Sequence, residues 1–427
     1  MTTHEPAQST ADGAPHAHRE HFIPVSLHEV ERLVRDRAHA ERPQEATDLA
    51  QATHLLSLLL RRETDAQADG LKRLYQRVRD ADDGQLRRLD ATTDDAQRER
   101  GIAELAELLE RVLLRANYRL LSRAELEAAF AAEAIAQVKT ETDLDEFATL
   151  RIFTRGRHPR TETLRTMWGL RKRTIQMDVF DRVFLFAHLP PPPAGVRRRG
   201  RPVMAPRAPL QLKLARSIPA ADLEMLLPNS RITMRPLDQA FVVVPAVVSV
   251  VGIASKVILS LTAMIAMVKF WVGLEENRPE VSGGWAVVFA GALGLLSIAG
   301  GAWTKYQNRR LRYLSSYSET LYFQTLDNEA GAFLRVLDEA YEEDAKEAML
   351  AYAFLCDGPA DDAALDARIE SWLGAHIGTA FDFEVDDALH KLERLGIARQ
   401  QDGRWHALAP AQARELLLRR WNDSVFS

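Results

Sequence analysis

Two apolar stretches constrain this chain more than any other feature of its 427 residues. Ala240 to Val268 carries one formal charge, Lys256, and Gly283 to Thr304 carries none. A helix crosses the hydrocarbon of a bilayer with about 20 consecutive apolar residues, so the pair predicts a transmembrane helical hairpin over residues 240–304. Indole rings favour the membrane interface, and Trp285 and Trp303 stand at the two ends of the second stretch, followed by Lys305, Arg309 and Arg310. Arg231 and Arg235 precede the first stretch, whereas the connection from Glu275 to Glu280 holds three Glu and one Arg. This bias puts both termini in the cytoplasm. Lys256 is the intramembrane polar candidate, because a lysine at a span centre costs about 2.5 to 3.5 kcal/mol. Either it faces a partner helix or polar cavity, or the span begins at Val257. Ala290, Gly294, Ser297 and Gly301 share one helical face on which a neighbouring backbone could pack. The competing reading is two buried helices in a large domain.

Charge excludes one class of function. Lys and Arg number 55 against 60 Asp and Glu, a net charge of -5, so the chain has no global basic field and no nucleic-acid partner is expected. Its single cysteine, Cys356, forms no intrachain disulfide and suits a reducing compartment. Within the apolar run Ala351 to Cys356 it reads as a core residue. The first 20 residues, with His4, His16 and His18, lack a basic region followed by an apolar one; no cleavable signal is visible, and a solvated tail is expected in preference to a metal site at His16, His18 and His21.

Residues 21–140 have helical periodicity. Ile102, Leu105, Leu109, Val112 and Leu113 fall on one stripe, and Leu55 to Leu60 is an apolar segment far too short for a span, so both predict a helical domain with its own core. Over residues 145–239 the pattern shortens towards period two, as in Leu210, Leu212 and Leu214, which predicts a small α+β domain. The proline-rich stretch 190–209, with Arg197, Arg198, Arg199, Arg201 and Arg207, reads as an exposed loop. Ser217 to Leu227 reads as a short capped helix.

Residues 305–427 predict a cytoplasmic helical and winged-helix-like domain. Asp338, Glu339, Glu342, Glu343, Asp344 and Glu347 read as a solvated helix face, since no oxygen-rich loop of calcium-binding spacing accompanies them. Further on come a helix near 363–373, another over 384–395 stopped by Gly396, and extended segments about Asp402-Gly403, a strong hairpin signal. On the second helix Glu384, Asp386, Asp387 and Glu393 outweigh Lys391 and Arg394. That would repel phosphates, so a protein-contact winged helix is expected.

The expected architecture is therefore an α+β membrane protein: N-terminal helical bundle, small mixed α/β domain, two-helix transmembrane hairpin and C-terminal winged-helix-like domain. Gly-rich phosphate loops, HExxH, GxSxG and paired CxxC are absent from the sequence, and no catalytic, cofactor-binding or metal residue is assigned. No cofactor is expected.

Several segments in order resemble a known family: His21 to Val25 (HFIPV), Asp178 to Phe186 (DVFDRVFLF), Ser217 to Asn229 (SIPAADLEMLLPN), the two apolar stretches, Leu321 to Asn328 (LYFQTLDN) and Lys346 to Leu355 (KEAMLAYAFL). The chain is similar to the transmembrane-protein-143-like family, known as domain of unknown function 3754, in a bacterial-type form. The resemblance implies paired spans and no established activity; with the charge bias it implies a multi-pass protein of the bacterial inner membrane. The function expected is a non-enzymatic membrane-anchored scaffold or sensor, its partners the lipid bilayer and other proteins or further copies of itself. Two alternatives stand: an oligomeric channel or transporter component using Lys256 and Lys269, and a membrane-surface enzyme using Asp222 and Glu224 with His188 or with Asp178 and Asp181.

Overall fold

A computed structural model describes residues 21–79, 95–131, 139–166, 171–190, 197–198, 201–202, 210–233 and 324–426, and, within 234–323, residues 269–273 and isolated helical positions such as Ile265, Leu293, Ser297 and Gly301. The chain divides into two compact units. One is discontinuous, built from Met1–Glu127, Leu144–Ala220 and Thr325–Ser427; the other comprises Ala128–Asp143 and Ala221–Gln324.

The first unit is organised by two long helices. Helix α2 (Ala46–Val78) buries Leu49, Leu56, Leu60, Leu71 and Leu74 at helical spacing. At 33 residues it is about 50 Å long. Its first half, to Leu60, lies in one hydrophobic core and its second, from Ala68, in another. Helix α5 (Ala330–Leu355) does the same in the opposite order: Ala332 to Ala340 pack in the second core and Ala345 to Leu355 in the first. The first core also holds α1 (Leu27–Glu41), whose first turn is capped by the Ser26 hydroxyl accepting from the Glu29 amide at 3.3 Å. The second core adds α3 (Asp95–Arg115), which buries the Ile102, Leu105, Leu109, Leu113 stripe, and the short α4 (Arg123–Ala131) follows it in the chain.

The second core is closed by a five-stranded antiparallel sheet in the order β1 (Arg119–Leu120), β3 (Thr149–Thr166), β4 (Arg171–His188), β7 (Leu210–Pro219), β9 (Thr325–Asn328). Alternate residues face inward: Phe184 and Phe186 on β4, Leu210, Leu212 and Leu214 on β7. Strand β3 bends at Gly156, where φ is +67° and an added Cβ would lie 2.8 Å from Asp181 Cβ, so a side chain fits neither the backbone nor the space. Ser217 and Pro219 belong to β7, not to a helix cap, and a 3-10 helix follows over Ala220–Leu226.

In the second unit β2 (Lys139–Glu141) pairs antiparallel with β8 (Arg231–Thr233), and the Asn229 amide donates to the Asp143 carbonyl at 2.8 Å. A two-residue ladder, β5 (Arg197–Arg198) with β6 (Arg201–Pro202), forms within the arginine-rich stretch of the first unit.

The C-terminal elements follow the helix, helix, wing order. Asp361 caps α6 (Asp362–Ile377) by accepting from the Ala364 amide at 2.8 Å, and Gly378 ends it at φ +71°. Helix α7 (Val385–Arg394) is followed by Gly396 at φ +75°. Strands β10 (Ala398–Gln401) and β11 (Arg404–Ala407) turn on Asp402 and Gly403, both at positive φ as a two-residue hairpin requires. Helix α8 (Pro410–Phe426) returns to α2 through Arg414, 3.3 Å from Asp48.

The membrane architecture requires correction. Among the described residues no helix is long and apolar enough to cross a membrane. A crossing demands about 20 uninterrupted apolar helical residues. The longest described helices carry charge throughout, and the helical run at Lys269–Trp271 closes on Gly273, at φ +78° with its amide on the Phe270 carbonyl. The architecture is mixed α/β, and the expected transmembrane hairpin, with the multi-pass inner-membrane location resting on it, does not stand. Lys256, Trp285, Trp303, Lys305, Arg309, Arg310, Ala290 and Gly294 lie outside the described residues; Ser297 and Gly301 are helical and exposed.

Candidate functional site

At the junction of the two cores α5 switches from apolar to charged. The stripe Phe333, Val336, Leu337, Ala340 projects, at three- and four-residue spacing, onto Glu343, Asp344 and Glu347. These carboxylates and Lys346 each leave only 2% of their surface exposed. Burial of charge is costly unless every group is paired, and the surrounding elements supply the partners.

One group of contacts fixes residues 21–25, which turn tightly at Pro24 with the Val25 amide donating to the Ile23 carbonyl at 2.9 Å, against α5. Lys346 has three donors and three acceptors: Glu343 Oε1 at 2.6 Å, the Ile23 carbonyl at 2.9 Å and the Val25 carbonyl at 3.1 Å. The other oxygen of Glu343 accepts from the Ile23 amide at 3.1 Å. The Arg155 guanidinium lies 5.0 Å from the Phe22 ring centroid, and Asn117 donates to the His21 carbonyl at 2.6 Å. Arg155 also approaches Glu339, to which Tyr118 donates at 2.6 Å. Burial, reinforced by Glu339, drives the Tyr118 phenol well above its usual range.

The second group joins α5 to α7. Lys391 Nζ stands 2.6 Å from Asp344, 3.1 Å from Glu347 and 2.7 Å from Asp387. The three carboxylates bring oxygens within 4.8 Å of one another, a grouping that could hold a metal ion, but the lysine ammonium sits among all three as the cation. Arg115 of α3 binds Asp344 from the other side. Two cations therefore face three carboxylates. Burial pushes the Glu347 carboxyl up to about 8 despite Lys391. Burial opposes charge on Lys391 too, but Glu347, Asp344 and Asp387 outweigh it and raise its pKa. A protonated Glu347 leaves Asp344 and Asp387 to balance Lys391 and Arg115.

Chemically the layer is a set of ion pairs and hydrogen bonds in which, among the described residues, Arg155 Nε has no hydrogen-bond partner and Asp344 Oδ1 meets Lys391 as an ion pair. An amine held charged has no lone pair for attack on a carbonyl, and a phenol held neutral does not act as a base. The enzyme candidates are dispersed into local contacts: His158 is 3.3 Å from Asp181, Arg157 is 2.5 Å from Asp178, and buried His188 is 3.5 Å from Glu99. Asp222 and Glu224 are buried in the 3-10 helix, not aligned on a solvated helix start. The solvated-face reading of α5 holds for Asp338, which meets Arg61 at the surface, and fails for Glu343, Asp344 and Glu347. Sequence reasoning missed Lys346, Lys391, Arg115 and Arg155; the continuous stripe into Glu343 and Glu347 marks the inward carboxylates, and nothing local marks their partners.

Residues 180–331 match the family described as protein of unknown function, DUF3754. The DUF3754 match runs from Phe180 in β4 to Gly331 at the start of α5 and so includes β7, the 3-10 helix and β9. It stops short of the ionic layer. No solved structure matches the chain.

Proposed function

We propose that this protein is a non-enzymatic scaffold or sensor that binds protein partners through its winged-helix-like module. The outward side of α7 carries the reading: Glu384, Asp386 and Glu393 are exposed there with His390. Lys391 turns inward, and Arg394 is committed to Glu63 of α2 through two hydrogen bonds of 2.5 and 2.8 Å. The helix that enters a DNA groove in nucleic-acid-binding winged helices is here acidic, which suits a lysine- or arginine-rich peptide and repels phosphate.

The test is fluorescence anisotropy with a defined panel of basic peptides, acidic peptides of equal length and duplex DNA. Saturable binding of basic peptides, weakened at least tenfold in an E384K/D386K/E393K variant, is the expected result. Preference for DNA, or equal binding of basic and acidic peptides, overturns the reading.

Within DUF3754, the order of HFIPV, DVFDRVFLF, SIPAADLEMLLPN, LYFQTLDN and KEAMLAYAFL supports membership of the transmembrane-protein-143-like branch in its bacterial-type form. That proposal concerns ancestry. A phylogeny that separates this chain from that branch overturns it.

A further inference from the structure

We infer that Glu343 and Lys346 form a recognition site for the main chain of a peptide that turns at a proline, occupied in this chain by its own residues 22–25 and able to take an equivalent segment from a partner. The site reads backbone, not side-chain, polarity. Glu343 accepts the amide of Ile23 and Lys346 donates to the carbonyls of Ile23 and Val25, in a turn closed by the Val25 amide donating to the Ile23 carbonyl at 2.9 Å. Pro24, between them, has no amide to satisfy. Side-chain selection comes from an apolar socket: Ile23 is 3% exposed within the first core, and Phe22 lies under Arg155.

The charged pair makes an occupant necessary. With the segment docked each side chain is 3% exposed; without it Lys346 keeps one of its three acceptors and Glu343 loses its amide donor. Buried donors left unmade are costly, so the emptied site has an affinity of its own for a peptide that restores them. The fitting ligand is a segment with a bulky aliphatic residue followed by proline, able to make the same turn. The resident segment is held in cis at high effective concentration and acts as a competitor that an incoming peptide must replace.

This site is distinct from the acidic side of α7 and does not rest on the peptide binding proposed there. The probe is a fluorescein-labelled peptide of residues 20–27 added to the full-length chain and to an Ile23→Asp variant, in which a charge prevents the resident segment from docking. The expected result is saturable binding to Ile23→Asp at least tenfold tighter than to the unsubstituted chain, lost when Lys346→Met is added and unchanged by E384K/D386K/E393K. Overturning results are a folded Ile23→Asp variant that does not bind, or binding indifferent to Lys346→Met. Should Ile23→Asp fail to fold, hydrogen exchange on the unsubstituted chain decides the matter. An Ile23 amide that exchanges much faster than the α5 amides supports release of the segment; one that exchanges only with global unfolding overturns it.

Discussion

Lys391 and Glu347 show how one charge sets the state of another in a dry site. With three carboxylates around it, Lys391 stays charged; with burial dominating, Glu347 keeps its proton up to about pH 8. The ordinary value for a glutamate is 4.5. Between those values the folded chain holds a proton that the unfolded chain has lost, so this group makes stability fall as pH rises from about 4.5 to 8 and level off above. Chemical denaturation across that range should show the slope, and Glu347→Gln should remove it and raise the midpoint at pH 8. Lys391→Met has the opposite sign. It leaves Asp344 buried with only Arg115 and Glu347 with no cation, a situation that costs about 3 to 5 kcal/mol. A loss under 1 kcal/mol in urea unfolding would show that the network contributes little. Cys356, by contrast, behaves as the sequence suggests: it packs beside the first core, and burial pushes its thiol up to about 11.

Among the elements, those with local signals formed where local chemistry put them. Asp361, one residue ahead of a helix, accepts the Ala364 amide, and Asp402-Gly403 turns the wing. Removing such a cap leaves a helix-end amide unpaired, so Asp361→Ala should destabilise the chain by about 1 kcal/mol, read as a lower unfolding midpoint with unchanged m-value. Ser217 to Leu227 is the counterexample. Its serine and proline look like a helix start, but β4 offers Pro219 and Ile218 cross-strand partners in Val179 and Phe180, and the segment enters the sheet as β7 before the 3-10 helix begins. Long-range pairing overrode the local signal. The stripe of α3 was readable because both its apolar spacing and its burial are properties of one helix.

At the scale of the whole first unit, α2 and α5 each run through both cores, so neither core has a boundary at which it could melt alone. Leu56→Ala in the first core and Leu109→Ala in the second should each cost about 2 to 5 kcal/mol and each shift one common transition. Hydrogen exchange of the two halves of α2 is the sharper measurement: separate unfolding of residues 46–60 and 68–78 in either variant would show two independent domains.

The sequence by itself determined the amphipathic helices, the alternating strands, the Asp402-Gly403 hairpin and the absence of an intrachain disulfide, because period, turn chemistry and residue type act within a few residues of each other. It also marked where α5 continues its stripe. Only tertiary structure decided that this stripe's carboxylates are buried, because their partners, Ile23, Arg115, Arg155 and Lys391, come from the 21–25 segment, α3, β3 and α7. The hydropathy of residues 240–304 stated a preference for apolar surroundings, and no described helix is both long and apolar enough to cross a bilayer. Hydropathy sums over residues, whereas spanning depends on one unbroken helix, and the pairing of buried charge depends on groups more than 300 positions apart, as with Ile23 and Glu343 at a separation of 320.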